Sequence, residues 1–451
     1  MATQRIKKVL GMLSGCQRTI TAVSLVALMN LSAVGYAQDA PEGGARSEAE
    51  AIDQGDGEAR VAALLDDSTT KDMHDDTTLL RSVPVLEDEG LELFDALRIW
   101  LGGSIQYDYY NFDGIFSNQS GVNSREGGDF RRLEGIFRSQ LFDWGELKVQ
   151  YDFDDGIFRD VYLRWVSKRP NTPVTVTVGN QKEPIGLDNL SGNKFDMAQE
   201  RASPSHAFAS WRSNGVRLHK AFQLSAEERQ FDIFEDDAAF ITTSVGVFTE
   251  DIEQSNDTDL AVTGRITVGR ERDGVGAHLG FAASYREGDF YRVSFRPGVR
   301  EADRITLARP SANTQGVVTA EAAYNQGRLH LQGEAFYADY AGRVDGYGSG
   351  AYAQAGWFLT NDSRLYNARW GILAPHKPNQ GYSLELFARA SVTRGEDDIN
   401  GWNAYRDITV GTNWFYRKAR ASLNLTYGES REPVNDEGDG VSLVLRAQYL
   451  F

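Results

Sequence analysis

Ser442–Phe451 reads SLVLRAQYLF, and its alternation decides the fold. Counting back from Phe451, the residues Tyr449, Ala447, Leu445 and Leu443 fall on one face, so a strand here shows a continuous apolar side and ends on an aromatic residue. A terminal strand of a soluble sandwich normally frays. A closed membrane barrel instead pairs its last strand with its first and keeps no open edge. The pattern predicts such a barrel, the plainer alternative being an ordinary edge strand that happens to come last.

The other end of the chain points the same way. Residues 1–37 combine a basic start (Arg5, Lys7, Lys8, Arg18), an apolar stretch from Ile20 to Val34, and small residues Gly35 and Ala37 around Tyr36. This is the pattern of a secretory signal peptide cleaved after Ala37. Leu13-Ser14-Gly15-Cys16 has the look of a lipoprotein box, but the apolar run before it, Val9 to Leu13, is too short for a signal core. If the single cysteine, Cys16, leaves with the signal, the exported protein has no disulfide framework.

No later stretch approaches the roughly 20 apolar residues of a membrane helix. The mean hydropathy is −0.43, yet a strand barrel hides its apolar surface by alternation, and 11% aromatic residues with 45 glycines and 11 prolines suit many strands joined by tight turns. The net charge of −17 is unevenly spread: residues 38–95 carry −13, the remainder from 96 onward −8. Residues 38–95 are expected to be an acidic, mostly flexible periplasmic segment with a short helical pattern around Ala49 to Leu65.

From residue 96 to 451 the period is two. Leu97, Ile99, Leu101, Gly103, Ile105 and Tyr107 alternate with Arg98, Trp100, Gly102, Ser104, Gln106 and Asp108, and Leu384, Leu386, Ala388 and Ala390 alternate with Glu385, Phe387, Arg389 and Ser391. Strands are expected near residues 97, 130, 146, 158, 174, 214, 239, 259, 275, 316, 328, 350, 381, 405, 419 and 441, which makes an all-β, transmembrane antiparallel barrel of about 16 strands. Asp143-Trp144-Gly145 and Asn325-Gln326-Gly327 supply short turns at one end, and Asn111 to Gly128, Lys182 to Trp211 and Arg286 to Thr314 long loops at the other. Two segments break that rule: Gln223 to Asp237 and Phe358 to Gln380 are long where turns are expected.

Gly179-Asn180-Gln181-Lys182-Glu183-Pro184-Ile185-Gly186-Leu187, followed by Ala198-Gln199-Glu200-Arg201, resembles the third-loop region of the phosphate-selective porin O and P family. Phe358-Leu359-Thr360-Asn361-Asp362-Ser363-Arg364-Leu365-Tyr366, Arg131-Arg132-Leu133-Glu134-Gly135 and Asp160-Val161-Tyr162-Leu163 resemble other parts of it in the same order, and the terminal strand is similar to the insertion signal of bacterial outer-membrane proteins. The resemblance implies a homotrimeric Gram-negative porin embedded in outer-membrane lipid. Its third loop would fold inward as a constriction, and it would pass phosphate or polyphosphate.

If apolar residues face lipid, the inward set includes Arg98, Arg132, Arg138, Lys148, Arg164, Arg217, Arg265, Arg328, Arg389, Arg417 and Arg446 against Asp108, Glu134, Asp152, Asp160, Glu334 and Glu385. That excess predicts an anion-preferring lumen, because low-dielectric walls leave fixed charges poorly screened. The segment from Arg286 to Thr314 adds a slightly basic mouth. Since neighbours on a strand face opposite sides, only one of Arg131 and Arg132 can line the pore, and Arg132 has the better phase. By the family resemblance Lys194 and Arg201 belong to the constriction and Asp160 is a lumen carboxylate able to bond a hydrogen phosphate. With Arg132, Arg138, Arg164 and Arg217 they form the candidate site.

Few lysines follow Lys71, whereas the outer funnel of the family's phosphate binders is lysine-rich, so organic anions, sulfate or unselective diffusion stay open alongside phosphate. A non-conducting structural or adhesive barrel is the other alternative. The six histidines show no paired metal spacing and there is no GxSxG elbow, so neither an enzyme, nor a cofactor or metal, nor a nucleic-acid partner is expected.

Overall fold

The computed structural model describes residues 91–94, 97–117, 124–142, 144–167, 174–192, 194, 196–224, 239–252, 258–272, 275–290, 292–374, 376, 378–379, 381–431 and 438–451. The expected signal peptide with Cys16, and residues 38–90 of the acidic segment, lie outside these. Leu91–Phe94, at the end of that segment, pair antiparallel with the chain that follows, Leu91 opposite Ile99.

All sixteen expected strands are present, in chain order β1 Leu97–Asp113, β2 Ser124–Leu141, β3 Gly145–Asp152, β4 Ile157–Val166, β5 Val174–Lys182, β6 Arg212–Gln223, β7 Ala239–Phe248, β8 Thr258–Arg272, β9 Val275–Phe290, β10 Ser311–Gln326, β11 Leu329–Val344, β12 Gly346–Phe358, β13 Tyr382–Asp397, β14 Gly401–Tyr416, β15 Ala419–Arg431 and β16 Gly438–Leu450. Each pairs antiparallel with the next, and β16 returns to β1 from Ser104↔Leu450 to Phe112↔Ser442, so the sheet is a closed barrel. Phe451 completes the seam. Its N–H donates to the Gly103 carbonyl at 3.2 Å and its carbonyl accepts from the Gly103 N–H at 2.9 Å. A Cβ at position 103 would come within 2.2 Å of the Glu134 carbonyl and 2.5 Å of the Phe451 ring, and a glycine leaves room for both.

The burial pattern is that of a soluble protein turned inside out. On β13 Leu386 is 46% exposed while its neighbour Glu385 is wholly buried, and Ile408 and Val410 on β14 are likewise exposed beside buried Thr409. Apolar residues outward and polar residues inward are what a strand wall between lipid and a lumen requires.

At the end where β1 begins and β16 finishes, β10 and β11 are joined by two residues, as are β14 and β15. Between β12 and β13, by contrast, residues 359–381 form a long link at this same end, as the sequence spacing anticipates. At the opposite end β5 and β6 are joined by residues 183–211, and β9 and β10 by a segment in which Val293–Phe295 pairs with Ile305–Ala308 and buries Phe295, Val299 and Leu307 against Phe116 and Tyr405. The wall is low on one side. Strands β3 to β5 have 8 to 10 residues, against 13 to 16 for β8 to β16.

Deleting Phe451, or replacing it with Asp, removes the last seam bonds or places a charge on the lipid face. The amount of folded, heat-modifiable protein in the outer membrane should then fall several-fold while export continues; normal amounts of folded protein would show that the seam does not depend on this residue.

Candidate pore constriction

Residues 183–211 run along the inside of the barrel, because their partners lie on inward faces around nearly its whole circumference. Two short helices form within the loop, α1 Leu187–Ser191 and α2 Ser203–Phe208, the second with Pro204 in its first turn. Glu334 of β11 ties both down, accepting the Asp188 N–H at 3.1 Å and the Ser205 hydroxyl at 3.2 Å. Between the helices the loop crosses to β13, β15 and β16. There Arg389 donates to the Glu200 carbonyl (2.7 Å), Arg420 to the Asp196 carbonyl (2.8 Å) and Arg446 to the Gln199 carbonyl (2.8 Å). Irregular backbone buried at this depth needs such donors. The arginines of this wall therefore hold the loop.

The opposite wall is built differently: carboxylates are shared between two cations each. Glu134 bonds Arg132 (2.7 Å) and Lys194. Asp160 bonds Lys148 and Arg212 (2.5 Å). Glu146 faces Arg164 (3.1 Å) and Arg138 (3.9 Å). The Asp160 and Glu146 triads each keep a net charge of +1, whereas Arg132 also lies 3.8 Å from Asp152, which with Asp155 pairs Arg159, so the Glu134 group is balanced. The carboxylate offsets the repulsion between two cations at fixed positions without cancelling both.

Three further cations make no ion pair among the described residues. Lys182 donates to the Asn189 carbonyl at 2.6 Å and has Arg201 and Arg212 within electrostatic reach. The Arg201 guanidinium lies 5.2 Å from the Trp211 ring and its Nη1 is buried without a hydrogen-bond partner. Arg217 donates to the Lys182 carbonyl at 3.3 Å, and its Nε is also unpartnered. Carbonyls and a ring hold a cation in place without adding a compensating negative charge, as a carboxylate would.

Every candidate residue from the sequence thus lies on the lumen side: Arg132, Arg138, Arg164, Asp160 and Lys194 in triads, Arg201 and Arg217 outside them. Lys182 and Arg212 were missed, although Lys182 stands in the quoted loop motif; Arg212, five residues from Arg217 and out of phase with it at the start of β6, gives no periodic signal. Several expectations are corrected. Arg131 and Arg132 both turn inward, because β2 carries a bulge: Gln106 pairs with Arg132 and Tyr107 with Phe130, leaving Arg131 as the extra residue. Arg131 uses that freedom to bond Glu200 at 2.7 Å. Arg328 and Arg417 are exposed in tight turns, Arg417 with φ of 52°, and line nothing. The expected basic mouth is partly neutralised, since Arg286 pairs with Glu183 (2.5 Å) and Arg300 with Asp154 (2.6 Å) and Asp155.

Asp196 lies on the loop itself, between the two short helices. It is 6% exposed, its Oδ2 has no hydrogen-bond partner, and burial together with neighbouring Asp188 pushes its carboxyl up to about 7, against the pull of Arg201 and Lys182.

Residues 99–451 match the family model described as phosphate-selective porin O and P. Porin O of Pseudomonas aeruginosa is 24% identical over 403 residues, covering 78% of this chain and 88% of that protein. An uncharacterized protein of Caulobacter vibrioides is 29% identical over 222 residues, 46% of this chain and 43% of that protein. Among solved structures, OmpT of Vibrio cholerae, an outer membrane protein, superimposes with a TM-score of 0.50 at 11% identity, over 81% of this chain and all of that one, which is a likeness of fold.

Below a pH of about 7 Asp196 keeps its proton and the Lys182–Arg201 region its full positive field; above it, a carboxylate forms there. The anion-to-cation permeability ratio from reversal potentials should therefore fall as pH rises from 6 to 8, and Asp196→Asn should flatten the profile. A flat wild-type profile, or a step that survives in Asp196→Asn, would refute this assignment.

Proposed function

The chain belongs to the phosphate-selective porin O and P family and forms an outer-membrane porin barrel, and on that premise we propose that it is an anion-preferring, water-filled channel for phosphate or polyphosphate-like anions. The observation that carries this reading is the charge arithmetic of the β2–β6 wall. The Asp160 and Glu146 triads of +1 face the loop that bears Arg201, with Lys182 and Arg217 left without ion pairs among the described residues. An anion crossing this region exchanges part of its water shell for guanidinium and ammonium donors, and successive sites of moderate strength let it move on.

Export by a cleaved signal peptide ending at Ala37 and assembly as a homotrimer complete the reading. The low wall at β3 to β5, with Phe153, Phe158, Leu163 and Trp165 exposed on it, supports a protein neighbour on that side. A second reading, passage of organic anions, is favoured by one observation: the constriction offers rings beside its cations, Trp211 with Arg201 and Tyr162 with Arg164.

Planar-bilayer recordings across a potassium chloride gradient test the proposal. The expected result is a reversal potential reporting anion preference, with chloride current blocked by added phosphate. A charge-assisted hydrogen bond contributes ~1.5–3 kcal/mol and 1.4 kcal/mol is about tenfold, so Arg201→Glu should raise the half-blocking phosphate concentration about tenfold or more. Clear cation preference would overturn the reading, absence of steady current would mark a structural barrel, and block by carboxylates but not phosphate would favour the second reading.

A further inference from the structure

The link between β12 and β13 is the one long excursion described at the β1/β16 end, and it enters the lumen. Arg364 anchors its start through Glu385 of β13 at 2.6 Å, and Tyr366–Asn367 then pairs antiparallel with Ile372–Leu373 to make a small hairpin. The tip turns at Gly371, whose φ of +61° suits glycine. The hairpin reaches across to the other side of the barrel. The Tyr366 hydroxyl bonds His278 of β9 (2.7 Å), Arg265 of β8 donates to the Gly371 carbonyl (2.5 Å), and His219 of β6 bonds the Arg369 carbonyl (2.9 Å).

At the tip Trp370 lies parallel to the His219 ring, centroids 4.4 Å apart and planes 10° apart. Its other neighbour is the guanidinium of Arg164, 5.1 Å from the ring, which also lies 4.8 Å from Tyr162. Arg164 donates to Glu146 at 3.1 Å and to the Tyr162 hydroxyl at 3.0 Å, and the Trp370 and Tyr162 rings add a second hold on the same guanidinium. The hairpin also touches the long loop: Leu187 packs in one apolar cluster with Tyr366, Ala368 and Leu373, and the Leu373 N–H donates to Ser191 at 3.3 Å.

We propose that Trp370 is a specificity-determining residue: the hairpin tip forms a second passage in series with the 183–211 loop, narrowing the lumen beside Arg164. This rests on the reading of the barrel as an anion-preferring channel, but its size component does not. Removing the ring opens the lumen and takes away one of the groups that hold Arg164 in place.

In the full-length protein, Trp370→Ala should therefore raise single-channel conductance while lowering the anion-to-cation permeability ratio about twofold or more, and Trp370→Phe should retain both wild-type values. A folded, heat-modifiable Trp370→Ala channel with wild-type conductance and wild-type ratio would overturn the proposal. Failure of the anion-preference reading alone would show instead in the wild-type reversal potential. Because the chain's single cysteine is Cys16, in the expected signal peptide, Trp370→Cys gives an independent measurement should the alanine variant not fold. A negatively charged methanethiosulfonate should modify it and reduce anion current at least about twofold. An unreactive thiol, or modification without effect on current, would place position 370 away from the ion path and reject the inference.

Discussion

Hydrocarbon offers no partner to a backbone N–H or C=O, so every strand of a membrane-spanning sheet must find its bonds inside the sheet. The pairing of β16 with β1, carried to the last residue by Phe451 and Gly103, is where this chain meets that condition. Closure then fixes the rest. A closed ring of strands has an inside, the two-residue period sends polar side chains there, and any loop that enters must have its carbonyls bonded by those side chains. Arg389, Arg420 and Arg446 serve that need on one wall and Glu334 on another.

The same constraint shapes the charges. A cation alone in a confined lumen is costly, and one paired with its own carboxylate is stable but contributes little field. Two cations on one carboxylate lie between these limits, and Glu134, Asp160 and Glu146 each make that arrangement. Acids in this lumen therefore position positive charge as well as reducing it, which is how a barrel region of net negative charge still presents a positive wall. Asp160 illustrates the point, since both its oxygens are engaged by cations.

The two inward segments enter from opposite ends and meet. Leu187 of the long loop is fully buried against Tyr366, Ala368 and Leu373 of the hairpin, and full burial of a leucine contributes roughly 1.5–3 kcal/mol. Close packing of this kind transmits displacement, so the position of Lys182 and Arg201 depends partly on a segment that begins at the far mouth.

The strand count, most inward and outward faces, the seam at Phe451 and the long link Phe358 to Gln380 were legible in the chain, because they follow from a local period and from turn chemistry within a few residues; the other long link, Gln223 to Asp237, lies almost wholly outside the described residues. Family resemblance added the long loop and the neighbourhood of Lys194 and Arg201. What the chain alone did not determine is which lumen cations keep their charge. Lys194 shares Glu134 from 60 positions away, and Glu200 is reached by Arg131 and by Arg446, 69 and 246 positions away. Arg131 faces inward only because one extra residue in β2 shifts the register, and Arg328 and Arg417 leave the wall only because the strands end just before them. Periodicity fixes on which side of a strand a residue lies. Partnership across the lumen depends on barrel closure and on the path of the inward segments, so only the tertiary structure decided it.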